Sequence, residues 1–432
     1  MTKMMADQAI ETIKANDKGR YTVPTHGLYP FQWNWDSCLT ALGFSHFDME
    51  RAWIEIETLL EHQWDDGMVP HIIFHEGNEG YFPGPTVWNT GRPVPTSGIT
   101  QPPVAGYCLR KIYERTSDRA HYHDRLKLLV KKIYKWHSWF FENRDPENTG
   151  LVAIIHPWES GRDNSIDWDL ALDDVPQDGV APFIRRDTQH ADPEHRPTEN
   201  QYQRYIWLVQ HFASLDWQNS VLHDSSPFKI VDPGFNAMLI RSIQDLAFLA
   251  TEIQEQQIAE ESLVMAGKAI KALESLWDDG LDQYVCYDRS RSCLVRNASI
   301  GGLIPVLVNI PNHRKERIAQ SITNHDCKFG IPSQNPQSIE FERYRYWRGP
   351  VWLIINYMIS EGLKDQPSVR NSIIEQSLEL IEQSGFAEYY DPIDGKPCGG
   401  QTFSWTAAMV LEFLGESVNE QASPSGELQP TD

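Results

Sequence analysis

Asp163 lies inside "HPWESGRDNS", His156 to Ser165, a stretch that gathers two carboxylates, a guanidinium, an amide and a tryptophan into ten residues. Folding alone seldom needs that mixture in one place. Three other clusters share it: "YPFQWNWDS" (Tyr29 to Ser37), "YRYWRGPVW" (Tyr344 to Trp352) and "AEYYDPIDGKPCGGQTFSWTAA" (Ala387 to Ala408). Such chemistry binds sugars, because aromatic rings stack on C–H faces while Asp, Asn, Gln and Arg fork onto paired hydroxyls. The competing role for Trp33, Trp35, Trp347 and Trp352 is packing. A glycosidase needs two carboxyl groups flanking the scissile bond, one protonated and one ionised. Asp163 and Glu388 are the candidate pair. On residue type alone, Asp163 serves equally well as a helix N-cap, and Glu388 as a loop carboxylate ahead of "DPIDG".

Other chemistries find less support. "HIIFHE" (His71 to Glu76) is not H-E-x-x-H and sits in an extended context, so no metal site is expected. There is no G-x-S-x-G, Walker loop or helix-opening G-x-G-x-x-G, and no cofactor is expected. The net charge of −22, from 38 basic and 60 acidic residues, argues against nucleic-acid or anionic-membrane partners. No run of ~18 apolar residues occurs, and the first residues lack a signal-peptide core. The six cysteines are scattered, as in a reduced, cytoplasmic protein.

The elements that must position these clusters are mostly helical. Asp48 can cap a helix with Ala52, Trp53, Ile56, Leu59 and Leu60 on one face. Further helices are expected over roughly 101–115, 125–141, 202–215, 235–253, 256–277, 314–322, 350–362, 369–384 and 403–413. "WDDG" recurs at Trp64 and Trp277, after a helix and before a short extended piece. Helix pairs joined repeatedly in this way can close into an α/α barrel. Two connections, about 76–103 and 173–201, are long enough to act as binding loops or lids. The expected organisation is one catalytic domain over 1–415 and a disordered tail over 416–432.

"WNWDS", "WESGRDN", "YWRGPVW" and "EYYDP" followed by "FSWTAA", in this order, resemble the α/α-barrel enzymes of glycoside hydrolase family 63. Their spelling is most similar to the bacterial and plant hydrolases of the compatible solutes glucosylglycerate and mannosylglycerate. The resemblance runs from about Tyr21 to Phe413 and implies an all-α, (α/α)6 toroidal barrel with short β pieces and long active-site loops. It implies an inverting α-glycosidase with Asp163 as general acid and Glu388 as general base. Trp35, Asp36, Gln101, Tyr346, Trp347 and Gln401 would wall the sugar subsite, while Arg196, Tyr202 and Tyr81 would hold the glycerate. Arg162 is expected to point away from Asp163, since its charge would keep the acid ionised. The alternative on the same barrel is an α-glucosidase of neutral disaccharides or short oligosaccharides. Relatives of this kind often self-associate, so a homo-oligomer is among the expected states.

Overall fold

The computed structural model describes residues 2–77, 80–187, 192–325 and 327–421. Helices Asn34–Phe44, Ala105–Arg115, Pro233–Glu252, Leu353–Gly362 and Ser404–Gln421 form an inner ring. Its sixth member is not an α-helix but two 3-10 turns, Ile300–Gly302 and Ile304–Leu307, between Pro233–Glu252 and Leu353–Gly362. Outer helices Thr2–Asn16, Met49–Glu61, His123–Arg144, Gln256–Leu273, Asn312–Thr323 and Pro367–Ser384 alternate with them along the chain. Ser404–Gln421 packs on Asn34–Phe44 and closes the circle. This is the expected (α/α)6 toroid. Among the described residues, no helix is long and apolar enough to cross a membrane.

Outer helices follow from pattern. Asp48 accepts a hydrogen bond from Arg51 N at 3.0 Å and starts Met49–Glu61, whose Ala52, Trp53, Ile56, Leu59 and Leu60 are all buried. Each large side chain so buried contributes about 1.5–3 kcal/mol. Two expected helices start later than their pattern suggests, at Ala105 and Leu353, because Pro102–Pro103 and Pro350 stand before them outside the helix. The last helix continues to Gln421, beyond the boundary expected at 415, so residues 416–421 are helical rather than part of a disordered tail. Residues 422–432 of that expected tail lie outside the described residues.

Short antiparallel pairs accompany two of the four aromatic clusters. Gln32–Trp33 pairs with Ile72–Ile73 and leads into Trp35 and Asp36; Tyr389–Tyr390 pairs with Pro397–Cys398 immediately after Glu388. Between His123–Arg144 and Pro233–Glu252 the chain makes an excursion that carries Asp163, the second long connection and helix Glu199–Ser214.

Between the inner helices, Glu412 accepts from Tyr357 Oη at 2.6 Å, Arg115 Nη1 at 2.5 Å and Nη2 at 2.9 Å, and lies 2.8 Å from His46 Nε2. Burial alone would raise this carboxyl, but Lys111, His46 and Arg115 overcome it and hold the group well below the ordinary carboxylate value. A depressed carboxylate stabilises the fold above its unfolded pKa of ~4.3, and that contribution is lost as the pH falls through the lower, folded value. Glu412→Gln takes the carboxylate from Arg115, while Lys111 keeps Glu361 at 2.6 Å, and should cost about 3–5 kcal/mol in urea unfolding at pH 7. The gap from the parent protein should begin to narrow below about pH 4.3, where the unfolded chain's carboxyl protonates, and close as the pH falls through the lower, folded value. An equal loss at all pH values would mean that packing, not charge, sets the cost.

Candidate active site

Asp163 stands in a short connection that its neighbours hold rigidly. Arg162 is buried and donates to Asp167 at 3.1 Å and Asp232 at 3.0 Å, pointing away from Asp163 as expected. The Asn164 side chain accepts from Trp347 N at 2.9 Å, and its carbonyl accepts from Arg348 Nε at 3.0 Å. Tyr205 Oη donates to the Asp163 carbonyl at 2.8 Å. Ser165, not Asp163, caps the following turn Ile166–Trp168, which removes the N-cap role for Asp163. Gly161 has φ +70°, and a Cβ there would come within 2.7 Å of the Trp35 ring; glycine is what lets the two segments meet.

Glu388 is 1% exposed and fully engaged. Its Oε1 accepts from Tyr29 Oη and Tyr346 Oη, each at 3.0 Å, and its Oε2 accepts from Gly400 N at 3.1 Å. The backbone returns the contact, Glu388 N donating to Gly400 O at 2.8 Å. Gly399, at φ +68°, leaves the space the carboxylate occupies.

Two cavities meet at Asp163. The inner one, about 380 Å³, is lined by Trp33, Trp35, Asp36, Gln101, Gly161, Asp163, Tyr346, Glu388, Phe403 and Trp405, among others. The outer one, about 680 Å³, is lined by Tyr81, Phe82, Trp158, Arg186, Asp187, Arg196 and Tyr202 with Asp163. Tyr29, Trp33, His71 and Asp163 border both, and Asp163 is the one carboxylic acid among these shared residues.

The two carboxyls of the expected pair differ in electrostatic setting. Burial pushes Asp163 up to about 7, against the lowering influence of Arg196 and with Glu388 adding to the rise. Its side chain accepts no hydrogen bond from another side chain among the described residues. Burial raises Glu388 too, but Arg196, the Gly400 N–H and both tyrosine hydroxyls oppose the rise. Carboxyls whose surroundings push them apart can work as acid and base. Burial also holds Asp36 well above the ordinary carboxylate value, with Glu388 and Asp163 adding to the rise.

The expected sugar-wall residues divide. Trp35, Asp36, Gln101 and Tyr346 line the inner cavity, and Gln101 Oε1 accepts from Trp35 N at 3.4 Å. Trp347 does not: it is buried and stacked on Trp352 at 3.8 Å, its aromatic face satisfied by that partner. Gln401 lines neither cavity and is exposed, turned back to donate to Gly399 O at 3.1 Å. Tyr81, Arg196 and Tyr202 all line the outer cavity. Arg196 is 5% exposed, donates to Tyr29 Oη at 3.1 Å, lies 4.0 Å from Glu388, and covers the Tyr346 ring at 4.2 Å. The two long connections meet over this cavity: Phe82 stacks on Phe183 at 5.2 Å, and Tyr202 Oη donates to Phe82 O at 3.2 Å.

Sequence reasoning passes over Tyr29, His71, Trp158 and Arg186. Tyr29 and Trp158 stand in two of the four aromatic clusters, whereas His71 is weighed in the sequence only as a metal ligand. The His71 ring is buried, stacked with Trp158 at 6.2 Å, and held well below the ordinary histidine value by burial and by His156. Among the described residues, no group of three or more His, Cys, Asp or Glu side chains could hold a metal.

A model of the mannosylglycerate hydrolase MGH1-like glycoside hydrolase domain matches residues 29–406. Mannosylglycerate hydrolase MGH1 of Selaginella moellendorffii is 41% identical over 420 residues, covering 95% of this chain and 86% of the relative. The glucosylglycerate hydrolase of Mycolicibacterium hassiacum is 32% identical over 435 residues, covering 95% and 98%. The crystal structure of a GH63 mannosylglycerate hydrolase from Thermus thermophilus, in complex with Tris and D-glycerate, superimposes with a TM-score of 0.92 at 41% identity. That match covers 95% of this chain and 100% of the other.

Proposed function

The chain belongs to the mannosylglycerate hydrolase MGH1-like glycoside hydrolase family, and from that premise we propose that it hydrolyses mannosylglycerate or glucosylglycerate with inversion, releasing hexose and glycerate. One observation carries the assignment of parts. Asp163 is the carboxylic acid shared by a cavity walled with aromatic rings, carboxyls and an amide and a cavity containing arginines. The hexose occupies the first and the glycerate the second, so the glycosidic oxygen falls beside Asp163.

Asp163, protonated near neutral pH, gives its proton to the glycosidic oxygen as the C1–O bond breaks and the bonding electrons go to glycerate. Glu388, ionised and held by three donors, takes a proton from the water that adds to C1 from the opposite face. Asp163 ends ionised and Glu388 protonated; solvent exchange resets both. Tyr29 and Tyr346 fix the Glu388 carboxylate, so its geometry is set before substrate arrives. Arg196, with Tyr81 and Tyr202, receives the glycerate, whose carboxylate matches a guanidinium fork. Trp35, Asp36 and Gln101 hold the hexose.

Proton NMR of the protein with each glycoside tests this reading. The β-hexose should appear first, before mutarotation. The α anomer first would overturn inversion, and no turnover of either compound would overturn the substrate.

A further inference from the structure

The outer cavity holds a charge that the roles above do not use. Arg185 makes a two-point contact with Asp187, at 3.1 and 2.7 Å, donates to Pro197 O at 2.8 Å, and lies 3.5 Å from exposed Glu199. Arg196 shares Asp187 at 3.4 Å and stands 4.0 Å from Glu388. Arg186, between the anchored Arg185 and Asp187, also lines the cavity. It makes no hydrogen bond or ion pair among the described residues. It is half-buried, so part of its hydration is already gone.

We propose that Arg186 is a specificity-determining residue, whose guanidinium pairs with the carboxylate of the leaving group and selects anionic over neutral glycosides. This rests on the glycerate-glycoside reading of the site and goes beyond it. Arg196 is already divided between Asp187, Tyr29 and the base, so it meets an incoming anion with its charge partly spent. Among the described residues nothing makes such a claim on Arg186, and a half-desolvated cation gains most from a partner that arrives with the substrate. Its neighbours fix the backbone on both sides, so the side chain reaches the cavity from a defined point. In a chain of net charge −22, an arginine inside a cavity also draws an anion to a place the bulk charge would repel it from.

The test compares Arg186→Ala and Arg186→Lys with the parent protein on mannosylglycerate and glucosylglycerate, and on the matching glycosylglycerols, which lack the carboxylate. Arg186→Ala should lose roughly 10- to 100-fold in kcat/KM on the glycerates, mostly through KM. On the glycerols it should stay within about twofold, and Arg186→Lys should recover part of the loss. Equal loss on both substrate classes would make Arg186 a structural residue of its loop, and no loss on the glycerates would make it a solvated one; either overturns the proposal. A parent protein that does not prefer glycerates over glycerols would instead overturn the reading on which it rests.

Discussion

Glu388→Gln should lower kcat on the glycerate glycosides by about 10²- to 10⁴-fold, the range expected when a general base is removed. The loss should be equally large on the α-hexosyl fluoride, because every substrate needs its water deprotonated. Asp163→Asn should match that loss on the glycerate glycosides but fall by less than about tenfold on the fluoride, which departs without a proton. The contrast separates acid from base by kinetics. Glutamine keeps an acceptor for Tyr29 and Tyr346 but turns an amide N–H₂ toward Gly400 N–H. That mismatch costs roughly 1–3 kcal/mol, so the melting temperature belongs beside the rates. If both variants lose equally on the fluoride, Asp163 is not acting as proton donor.

The same asymmetry fixes the pH dependence. In the proposed mechanism Asp163 works protonated, and burial pushes it up to about 7, so kcat/KM should fall about tenfold per unit above that pH. Glu388 works ionised in the same mechanism, so the other limb should lie on the acid side. Deprotonation of Asp163 also adds a second negative charge to the cavity that holds Glu388. A profile flat from pH 7 to 9 would mean that Asp163 is not the acid or that substrate binding masks its titration.

Much of this architecture was legible, and the illegible parts have physical causes. Met49–Glu61 declares itself because one face meets water and the other the core. Asn34–Phe44 does not, since all 11 of its residues are buried and no polar stripe marks the period. The turns Ile300–Gly302 and Ile304–Leu307 stand where the ring demands a helix, but their two glycines and proline offer no helical pattern. Cluster spelling led to both carboxyls, yet the features that tell them apart come from Tyr29 and Tyr346, distant in sequence, and from the backbone of Gly400, which no side-chain letter marks. The letters Tyr-Trp in "YRYWRG" likewise do not say which ring faces the cavity; Tyr346 does, while Trp347 lies against Trp352.

Arg196→Ala should cost roughly 10²- to 10³-fold in kcat/KM on the glycerate glycosides, as expected when one partner of a buried charged contact is truncated. The loss on glycosylglycerols should be clearly smaller, though not absent, because the guanidinium also stands 4.0 Å from Glu388 and bonds the tyrosine that holds it. Stability should change little by comparison, since Asp187 keeps its two-point contact with Arg185. A second readout separates electrostatics from lost packing. Arg196 opposes the burial-driven rise of both Asp163 and Glu388, so removing it should move both carboxyls upward. The alkaline limb of the residual activity therefore shifts to higher pH, keeping the acid protonated where the parent protein has lost it. Arg196→Lys should restore that limb more fully than it restores the preference for glycerates, because an ammonium supplies charge without the planar fork. An unchanged ratio of glycerate to glycerol turnover in Arg196→Ala would mean that Arg196 does not read the charge of the leaving group. Arg196 would then serve Asp163 and Glu388 alone, and any preference for glycerates would fall to Arg186.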